Sequence, residues 1–336
     1  MCDRRNNMPK KISRRKMLTY GTASLGMLTV NPAVHSAFAW PPGPDENVHR
    51  DITPGPTQVR LATRMVRGKN EIPEDTVKRI REAGYTSVNT QPSQWTDAEL
   101  IEMRAALKKY DVTVFEVGAY DNIIHPDAKK RQEILATIAS KFEDAEKIGG
   151  TMVATVSGSC SHYLIEPHPD NWTEKTWKLT VRSVRQILKD TAGMDVSLGI
   201  EAQVTTNIDS PKAHRRLIDD VGDERCRVNL DPTNMVSLAT YFHTTELLDE
   251  CFDLLGEYIM GCHAKDTYIL PNKQTVHVQE VCPGKGIMDY ETFLARMSRL
   301  KWPRALFPEH IKPEEFPEAD AYIKKVAARI GVKLYG

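Results

Sequence analysis

Short apolar runs and longer segments of helical periodicity alternate eight times from Val59 onward, and this alternation constrains the fold more than any other feature of the sequence. β-Branched and apolar residues dominate the runs, which predicts buried strands. The eight predicted strands are VRLAT (59–63), YTSVN (85–89), VTVFEV (112–117), TMVATV (151–156), SLGIE (197–201), RVNLD (227–231), YIMGCHA (258–264) and RALFPE (304–309). Strands that alternate with helices pair in parallel, because each helix returns the chain to the same edge of the sheet.

The segments between these runs carry apolar residues at helical spacing. After Thr96, which can cap a helix, one stripe consists of Leu100, Met103, Ala106 and Leu107. Similar stripes occupy 131–147, 173–192, 211–221, 245–255, 290–300 and 318–330. Eight strands that alternate with helical segments predict an α/β fold of the (β/α)8 TIM barrel type, as a single domain over 59–336, with an open doubly wound sheet as the alternative.

The first 39 residues have the composition of an export signal. The paired arginines Arg14 and Arg15 precede a moderately apolar stretch, and small residues end it at Ala39. This order predicts a twin-arginine signal peptide over 1–39 and a periplasmic or extracellular protein; a basic disordered N-terminus is the alternative. The segment 40–58 is rich in Pro and polar residues, which predicts a linker or N-terminal strap.

The balance of charge excludes one class of partner. Residues 1–39 hold seven of the 45 Lys and Arg and one of the 45 Asp and Glu, so the remaining chain has a net charge of −6. An acidic surface does not favour the phosphate backbone, and we therefore expect no nucleic-acid partner. No other stretch has the length of a membrane span, so we expect no stable membrane insertion after signal cleavage. Cys226 and Cys262 fall in predicted strands, which favours buried thiols.

Four consecutive predicted strands each carry a potential metal ligand at or near the C-terminal end: Glu201, Asp231, His263 and Glu309. Chemistry in TIM barrels is located at these ends, and neighbouring strands are about 4.8 Å apart, so side chains at matching heights converge. Three acids at one point would repel, and a divalent cation would offset the repulsion. Carboxylate and imidazole donors are more typical of a site for Mn²⁺, Mg²⁺ or Co²⁺ than of a structural zinc site, which is rich in thiolates. We expect one ion, Mn²⁺ first, with Mg²⁺, Co²⁺ or Zn²⁺ as alternatives. For any one of these residues, a salt bridge or a loop cap is the structural alternative.

The charges of this set also indicate a type of reaction. Three carboxylates and one divalent cation leave the site near −1, so one glutamate stays basic enough to take a proton. The metal would act as a Lewis acid on a carbonyl, acidify the adjacent C–H and stabilise the enediolate. Return of the proton gives epimerisation or isomerisation, whereas loss of a β-substituent gives a lyase or dehydratase. These outcomes share one intermediate, and the residues do not separate them.

The motifs GIEAQ, NLDPTNM, GCHAKD, CPGKGIMDY and FPEH occur together in the order and at the strand ends seen in one family. In this set the chain resembles the xylose isomerase-like TIM barrels of the sugar phosphate isomerase/epimerase superfamily, over essentially 59–335. The resemblance implies that Glu201, Asp231, His263 and Glu309 bind the metal, with Glu201 and Glu309 also as catalytic acid and base on opposite faces of the substrate. It also implies dimers or tetramers. Where epimerases of the family commonly have a His, this sequence has Asn234.

Further polar and aromatic residues near the strand ends are candidates for substrate binding, each with a structural alternative such as a helix cap, a core position or an ion pair. They are Gln91, Trp95, Ser157, Asn234 and Lys265. His310 should point away from Glu309 because side chains alternate along a strand. The glycines of PGKG are expected to shape a turn, since the full pattern of a nucleotide loop is missing.

Taken together, the sequence predicts a divalent-metal-dependent isomerase or epimerase of a small carbohydrate. A lyase or dehydratase acting on a keto-sugar or 3-keto-glycoside is the first alternative, and a non-catalytic carbohydrate-binding barrel is the second. Export argues against a phosphorylated substrate, because sugar phosphates belong to the cytoplasm.

Overall fold

The structure is a computed structural model that describes residues 50–68, 70–92 and 95–335. The predicted signal peptide and most of the predicted linker lie outside these residues. The described part of the linker runs beside the last turn of a helix near the C-terminus, where the Thr57 N–H donates to the Ser298 carbonyl at 3.0 Å and the Thr57 hydroxyl donates to the Leu300 carbonyl at 2.6 Å.

Eight parallel strands close into a barrel. The barrel strands are β1 (Arg60–Arg64), β2 (Ser87–Thr90), β3 (Thr113–Asn122), β4 (Met152–Val156), β5 (Ser197–Glu201), β6 (Cys226–Leu230), β7 (Ile259–Ala264) and β10 (Ala305–Pro308). Around the barrel they follow the order β1-β10-β7-β6-β5-β4-β3-β2. An antiparallel hairpin of β8 (Asp266–Ile269) and β9 (Val278–Val281) follows β7. This topology confirms the predicted (β/α)8 TIM barrel.

In the part of the chain that the structure describes, eight α-helices alternate with the barrel strands. They are α1 (Pro73–Glu82), α2 (Asp97–Lys109), α3 (Ala128–Ile148), α4 (Glu174–Asp190), α5 (Pro211–Val221), α6 (Thr244–Leu255), α7 (Tyr290–Ser298) and α8 (Phe316–Ile330). The predicted α2 stripe is buried, and Thr96 and Glu99 form a capping box at its N-terminus. Within the described residues, no helix combines the length and apolar character of a membrane span.

Helix α1 and the β8–β9 hairpin were not predicted. Helix α1 has only Val77 and Ile80 as buried apolar residues after its initial proline, too few for a recognisable stripe. The hairpin lies between the predicted strands 258–264 and 304–309, where the sequence predicted no strand, and β9 is largely exposed, so its apolar residues do not form a buried face. The described cysteines are free, and Cys226 and Cys262 are buried in β6 and β7 as expected.

Apolar side chains fill the barrel below the C-terminal ends of the strands. One cluster contains Ala62, Phe115, Met152, Ala154, Ala305 and Phe307. The rings of Phe115 and Phe307 contact the His263 ring edge-on, at centroid distances of 6.5 and 5.8 Å. A Cβ at Gly261 would collide with Phe115, so this glycine makes room for the ring. The cluster forms an apolar layer beneath the polar residues at the C-terminal ends of the strands.

His214 in α5 is buried, and neither ring nitrogen has a hydrogen-bond partner among the described residues. Burial lowers its pKa from 6.5 to about 4. Since the unfolded chain takes up this proton at higher pH than the folded one, stability should be lost as the pH falls from about 6.5 towards 4. We expect about 2 kcal/mol of this loss between pH 7 and 5.

Chemical denaturation of the wild type and His214→Leu at both pH values tests this expectation. The variant should lose less stability than the wild type on acidification, by about 2 kcal/mol, whereas His277→Leu, at an exposed position, should behave as the wild type. Equal acid sensitivity in the His214 and His277 variants would contradict the assignment.

The PGKG turn fits closely against Asp266. The Asp266 carboxylate accepts the N–H groups of Gly284 at 3.0 Å and Met288 at 2.9 Å, and a Cβ at Gly286 would collide with it. We therefore expect Gly286→Ala to lower the free energy of unfolding by about 2 kcal/mol. Gly256→Ala is the control, because its Cβ would meet Leu300 at an ordinary 3.6 Å in helical backbone. Thermal or urea unfolding measures both, and equal stability of the two variants would refute the close fit.

Candidate metal centre

Four side chains from the C-terminal ends of neighbouring strands converge inside the barrel mouth. Glu201 ends β5, Asp231 follows β6, His263 is in β7, and Glu309 follows β10. One potential ligand atom from each lies within 4.8 Å of the others, and all four residues are buried. The parallel register explains this, because His263 pairs with Phe307 across β7 and β10, so Glu309 lies just beyond it.

The His263 ring presents Nδ1 to the three acids. Nδ1 is 3.1 Å from Glu309 Oε2, 3.4 Å from Glu201 Oε2 and 3.7 Å from Asp231 Oδ2. The opposite nitrogen, Nε2, is 2.8 Å from Oε2 of Glu116 in β3. Sequence reasoning missed Glu116, because the apolar run VTVFEV shows that a charged residue is present but not that it points into the barrel.

Glu116 is a buried acid surrounded by donors. Its Oε1 accepts from the Asn89 amide at 2.8 Å, and its Oε2 accepts from the Asn229 amide at 3.1 Å. Both carboxylate oxygens of Glu116 already accept amide N–H groups, so Glu116 is the acceptor towards His263 as well and the proton between them belongs to Nε2. A cation that displaces a proton from Nδ1 would then meet a lone pair directed at the three acids, the arrangement by which acidic partners orient metal-binding histidines.

Two short hydrogen bonds hold Glu201, one from Tyr120 in β3 and one from Asn234 in the turn after β6. The Tyr120 hydroxyl donates to Oε2 at 2.9 Å, and the Asn234 amide donates to Oε1 at 2.6 Å. Burial raises the pKa of Glu201 to about 7, against the opposing effect of His263. Burial, together with Glu116 and Glu201, also raises the pKa of Tyr120 well above its usual value, so this hydroxyl stays a neutral donor.

Lys265 brings the only ammonium group among these contacts. Its Nζ is 2.8 Å from Asp231 Oδ2 and 2.9 Å from Glu309 Oε2, and its side chain is 1% exposed. Burial would raise the pKa of Glu309, but His263 and Lys265 outweigh it and hold the pKa below the usual range. Conversely, the Glu309, Glu201 and Glu116 carboxylates raise the pKa of His263 well above its usual value although burial opposes them.

The donor set fits a divalent cation. Nδ1 of His263 is buried without a hydrogen-bond partner among the described residues, while three carboxylates face it. In the state that binds a cation, with all four carboxylates including Glu116 ionised, Lys265 charged and the imidazole neutral, the cluster would carry a charge of −3. A divalent ion would reduce this charge to −1, and oxygen-rich donors with one imidazole are ligands that Mn²⁺ and Mg²⁺ accept.

Of the residues predicted from the sequence to bind substrate, some lie in the cluster and others lie away from it. Asn234 and Lys265 lie in the cluster and contact each other, at 3.4 Å between Oδ1 and Nζ. Ser157 follows β4 and is buried, and its hydroxyl has no hydrogen-bond partner among the described residues. Gln91 is exposed, in a hollow that Tyr120 also lines. Trp95 is buried in the main hydrophobic core, away from these contacts.

His310 is half exposed and adopts a left-handed backbone, with φ of 55°. Its Nδ1 lies 2.8 Å from Glu280 of β9, and Glu280 is also 3.6 Å from Nζ of Lys265. The hairpin therefore reaches the edge of the cluster through Glu280. This contact follows from the unpredicted hairpin, so sequence reasoning had no basis for it.

Solved structures share the fold of this chain. The 3-keto-D-glucoside 4-epimerase from E. coli superposes with a TM-score of 0.58 at 18% identity, over 82% of this chain and 99% of its own. The probable 3-DHS dehydratase involved in petrobactin synthesis from Bacillus anthracis gives 0.61 at 14% identity, over 81% and 99%. A xylose isomerase-like TIM barrel protein from Mycobacterium smegmatis in complex with magnesium gives 0.57 at 15% identity, over 82% and 97%. At these identities the likeness shows the fold alone.

No curated protein matches the chain in sequence. The family described as xylose isomerase-like TIM barrel matches residues 77–329, well over half of the chain. The match spans the strands that carry all four clustered ligands. The chain therefore belongs to the xylose isomerase-like TIM barrel family.

Proposed function

We propose that this protein is a divalent-metal-dependent isomerase or epimerase of a sugar or sugar-like substrate. The observation that carries the proposal is the meeting of two glutamates, Glu201 and Glu309, in one buried cluster with Asp231 and His263. Two carboxylates in one site provide an acid and a base for moving a proton. The E. coli epimerase of the same fold supports a carbohydrate as substrate.

Glu201, Asp231, His263 and Glu309 are the residues that would hold the ion, and we expect Mn²⁺ first, with Mg²⁺, Co²⁺ or Zn²⁺ as alternatives. When bound, the ion would supply Lewis acidity to a substrate carbonyl and lower the pKa of the neighbouring C–H. The magnesium in the M. smegmatis protein of the same fold supports an oxygen-rich site of this kind.

The remaining steps, which are proton transfer, positioning and charge stabilisation, are assigned to residues of the chain itself. Glu201 and Glu309 exchange a proton with the substrate carbon, one on each face. Asn234 and Tyr120 keep the Glu201 carboxylate in place, because each donates to one of its oxygens. Lys265, held against Asp231 and Glu309, offers positive charge to an oxygen that becomes negative during proton removal. Phe115 and Phe307 below exclude water from this region.

Proton NMR in D₂O tests the proposal. The Mn²⁺-loaded protein is incubated with free, oxidised and glycosidic sugars. Deuterium entering a carbon next to a carbonyl, together with a product isomeric with the substrate, is the expected result. Binding of a sugar without any exchange would instead indicate a non-catalytic carbohydrate-binding barrel.

A lyase or dehydratase acting on a keto-sugar or 3-keto-glycoside is the second candidate. The probable dehydratase from B. anthracis has the same fold, and elimination needs the same acid and base. The same spectra separate the two reactions, because elimination releases water or an aglycone and leaves an unsaturated product.

We also propose export and a homo-oligomeric state. The twin-arginine route carries folded proteins, so the metal could be loaded before the protein meets copper or zinc, which bind more tightly than Mn²⁺. Replacing both Arg14 and Arg15 with Lys should retain the protein in the cytoplasm.

Light scattering of the mature protein should give the mass of a dimer or tetramer, and a monomer would contradict the proposed homo-oligomeric state.

A further inference from the structure

A cavity of about 640 Å³ opens at the end of the barrel opposite the metal cluster. It lies between the starts of β6, β7 and β10 and the C-terminal end of α7. Its basic lining residues are Arg227, Arg296, Arg299, Lys301 and Arg304. Glu257 is the acidic residue of this lining. We call this feature the basic cavity.

Two of these cations are neutralised within the chain. Arg296 pairs with Asp249 at 3.2 Å, and Arg299 pairs with Asp51 at 2.7 Å. In contrast, Arg227, Lys301 and Arg304 make no ion pair with any described residue. Three uncompensated positive charges therefore share one concave surface, in a chain whose residues beyond 39 have a net charge of −6.

Backbone carbonyls hold the unpaired Arg227 and Arg304 in place. Arg304 Nε donates to the Ile259 carbonyl at 2.6 Å, and Arg227 Nη1 lies 3.4 Å from the Glu257 carbonyl. Each of these contacts uses one of the five N–H donors of a guanidinium group, so most donors remain available. Burial lowers the pKa of Arg304, and the nearby positive Arg227 lowers it further. Arg227 and Arg304 thus place like charges on one surface, and Glu257 of the same lining pairs with Arg215 instead.

Beside the arginines, Trp302 presents an apolar ring to the cavity. The side chain is 57% exposed, and the Lys301 ammonium lies 5.3 Å from the ring centroid. Aromatic faces bind other flat rings by stacking. The volume also falls within the range of about 300 to 1,000 Å³ typical of small-molecule sites, which favours a small ligand over a protein surface.

We propose that the basic cavity binds a small molecule with a phosphate or carboxylate group, held by Arg227 and Arg304, and with a flat ring that stacks on Trp302. Planar guanidinium groups match the paired oxygens of such anions and bind them with two parallel hydrogen bonds. The site is independent of the metal cluster and of the proposed reaction, since it uses none of the same residues.

Isothermal titration of the full-length protein with inorganic phosphate and with AMP tests the proposal. We expect saturable binding of one molecule per chain, with AMP tighter than phosphate. Arg227→Gln and Arg304→Gln should each weaken both ligands about tenfold or more, the loss expected for a hydrogen bond to a charged group. Trp302→Ala should bring AMP down to the affinity of phosphate.

Arg182→Gln is the matched control, because Arg182 is an exposed arginine of α4 without an ion pair to a described residue, and it removes the same charge elsewhere. It should bind both ligands as the wild type does. Arg227→Lys should recover part of the affinity lost in Arg227→Gln. Should Arg304→Gln unfold, the Arg227 variants decide alone, since the contacts of Arg227 with the Glu257 carbonyl at 3.4 Å and with the Tyr258 ring at 5.6 Å are both weak.

Three results would overturn the proposal. The first is absence of saturable binding of either ligand to the wild type. The second is unchanged affinity in Arg227→Gln, which would place the anion elsewhere, for example at the metal centre. The third is an equal loss in Arg182→Gln, which would indicate a non-specific effect of net charge. Equal affinities of AMP and phosphate would refute the role of Trp302.

Discussion

Replacing Glu309 with Gln is expected to slow the exchange of substrate hydrogen with solvent deuterium by about a thousandfold, the middle of the range for loss of a general acid or base. The amide keeps the shape of the side chain but accepts no proton. It also removes the negative charge that lies 2.9 Å from Lys265 and 3.1 Å from His263. NMR in D₂O with the most reactive sugar measures the rate.

Metal content must be measured on the same samples, because Glu309 is also a proposed ligand. Rates are therefore compared at saturating Mn²⁺, and Glu201→Gln should show a loss of similar size. Glu314→Gln, at an exposed position five residues further on, is the control and should exchange at the wild-type rate. Wild-type exchange in metal-loaded Glu309→Gln would remove this residue from the mechanism.

Glu116→Gln is expected to weaken metal binding by about ten- to a hundredfold, although Glu116 is not among the four proposed ligands. Its carboxylate fixes the proton of His263 on Nε2 through the 2.8 Å contact. A glutamine can rotate its amide N–H towards Nε2, which favours the proton on Nδ1, where the ion would bind. The lone pair on Nδ1 is then lost for part of the population.

Competition with a fluorescent chelator measures this affinity. Glu102→Gln, an exposed acid on α2, makes the same change of charge outside the barrel and should leave the affinity unchanged. Circular dichroism and thermal unfolding of the metal-free variants check that the fold is intact. An unchanged affinity in folded Glu116→Gln would mean that Glu116 does not orient His263.

The fold could be predicted because each unit of the barrel repeats the same local signals. Helix α5 begins and ends where the sequence predicted, since Ser210 caps it, Pro211 opens it and Gly222 ends it in the left-handed conformation. Helix α4 lacks such a glycine and ends two residues earlier than predicted, at Asp190. Elements without a full apolar stripe, such as α1, were missed.

The convergence of the four proposed ligands could be predicted from the sequence for a related reason. Their place at or next to a strand end fixes their height in the barrel, and the chain order fixes which strands are neighbours. Glu116 was not accessible, because β3 is buried on both faces at Val114, Phe115 and Val117. In a barrel strand of this kind, apolar residues occupy both faces, so the sequence does not reveal which side chains point inward.

The bound cation itself provides the most direct test of the account. Protein purified from cells supplied with Mn²⁺ is analysed for metals by mass spectrometry, before and after dialysis against a chelator, together with Asp231→Asn. We expect one divalent ion per wild-type chain, its loss and a lower melting temperature after dialysis, and little or no metal in the variant. Wild-type protein that holds no divalent ion, takes none up from solution and melts at the same temperature with and without chelator would contradict the account.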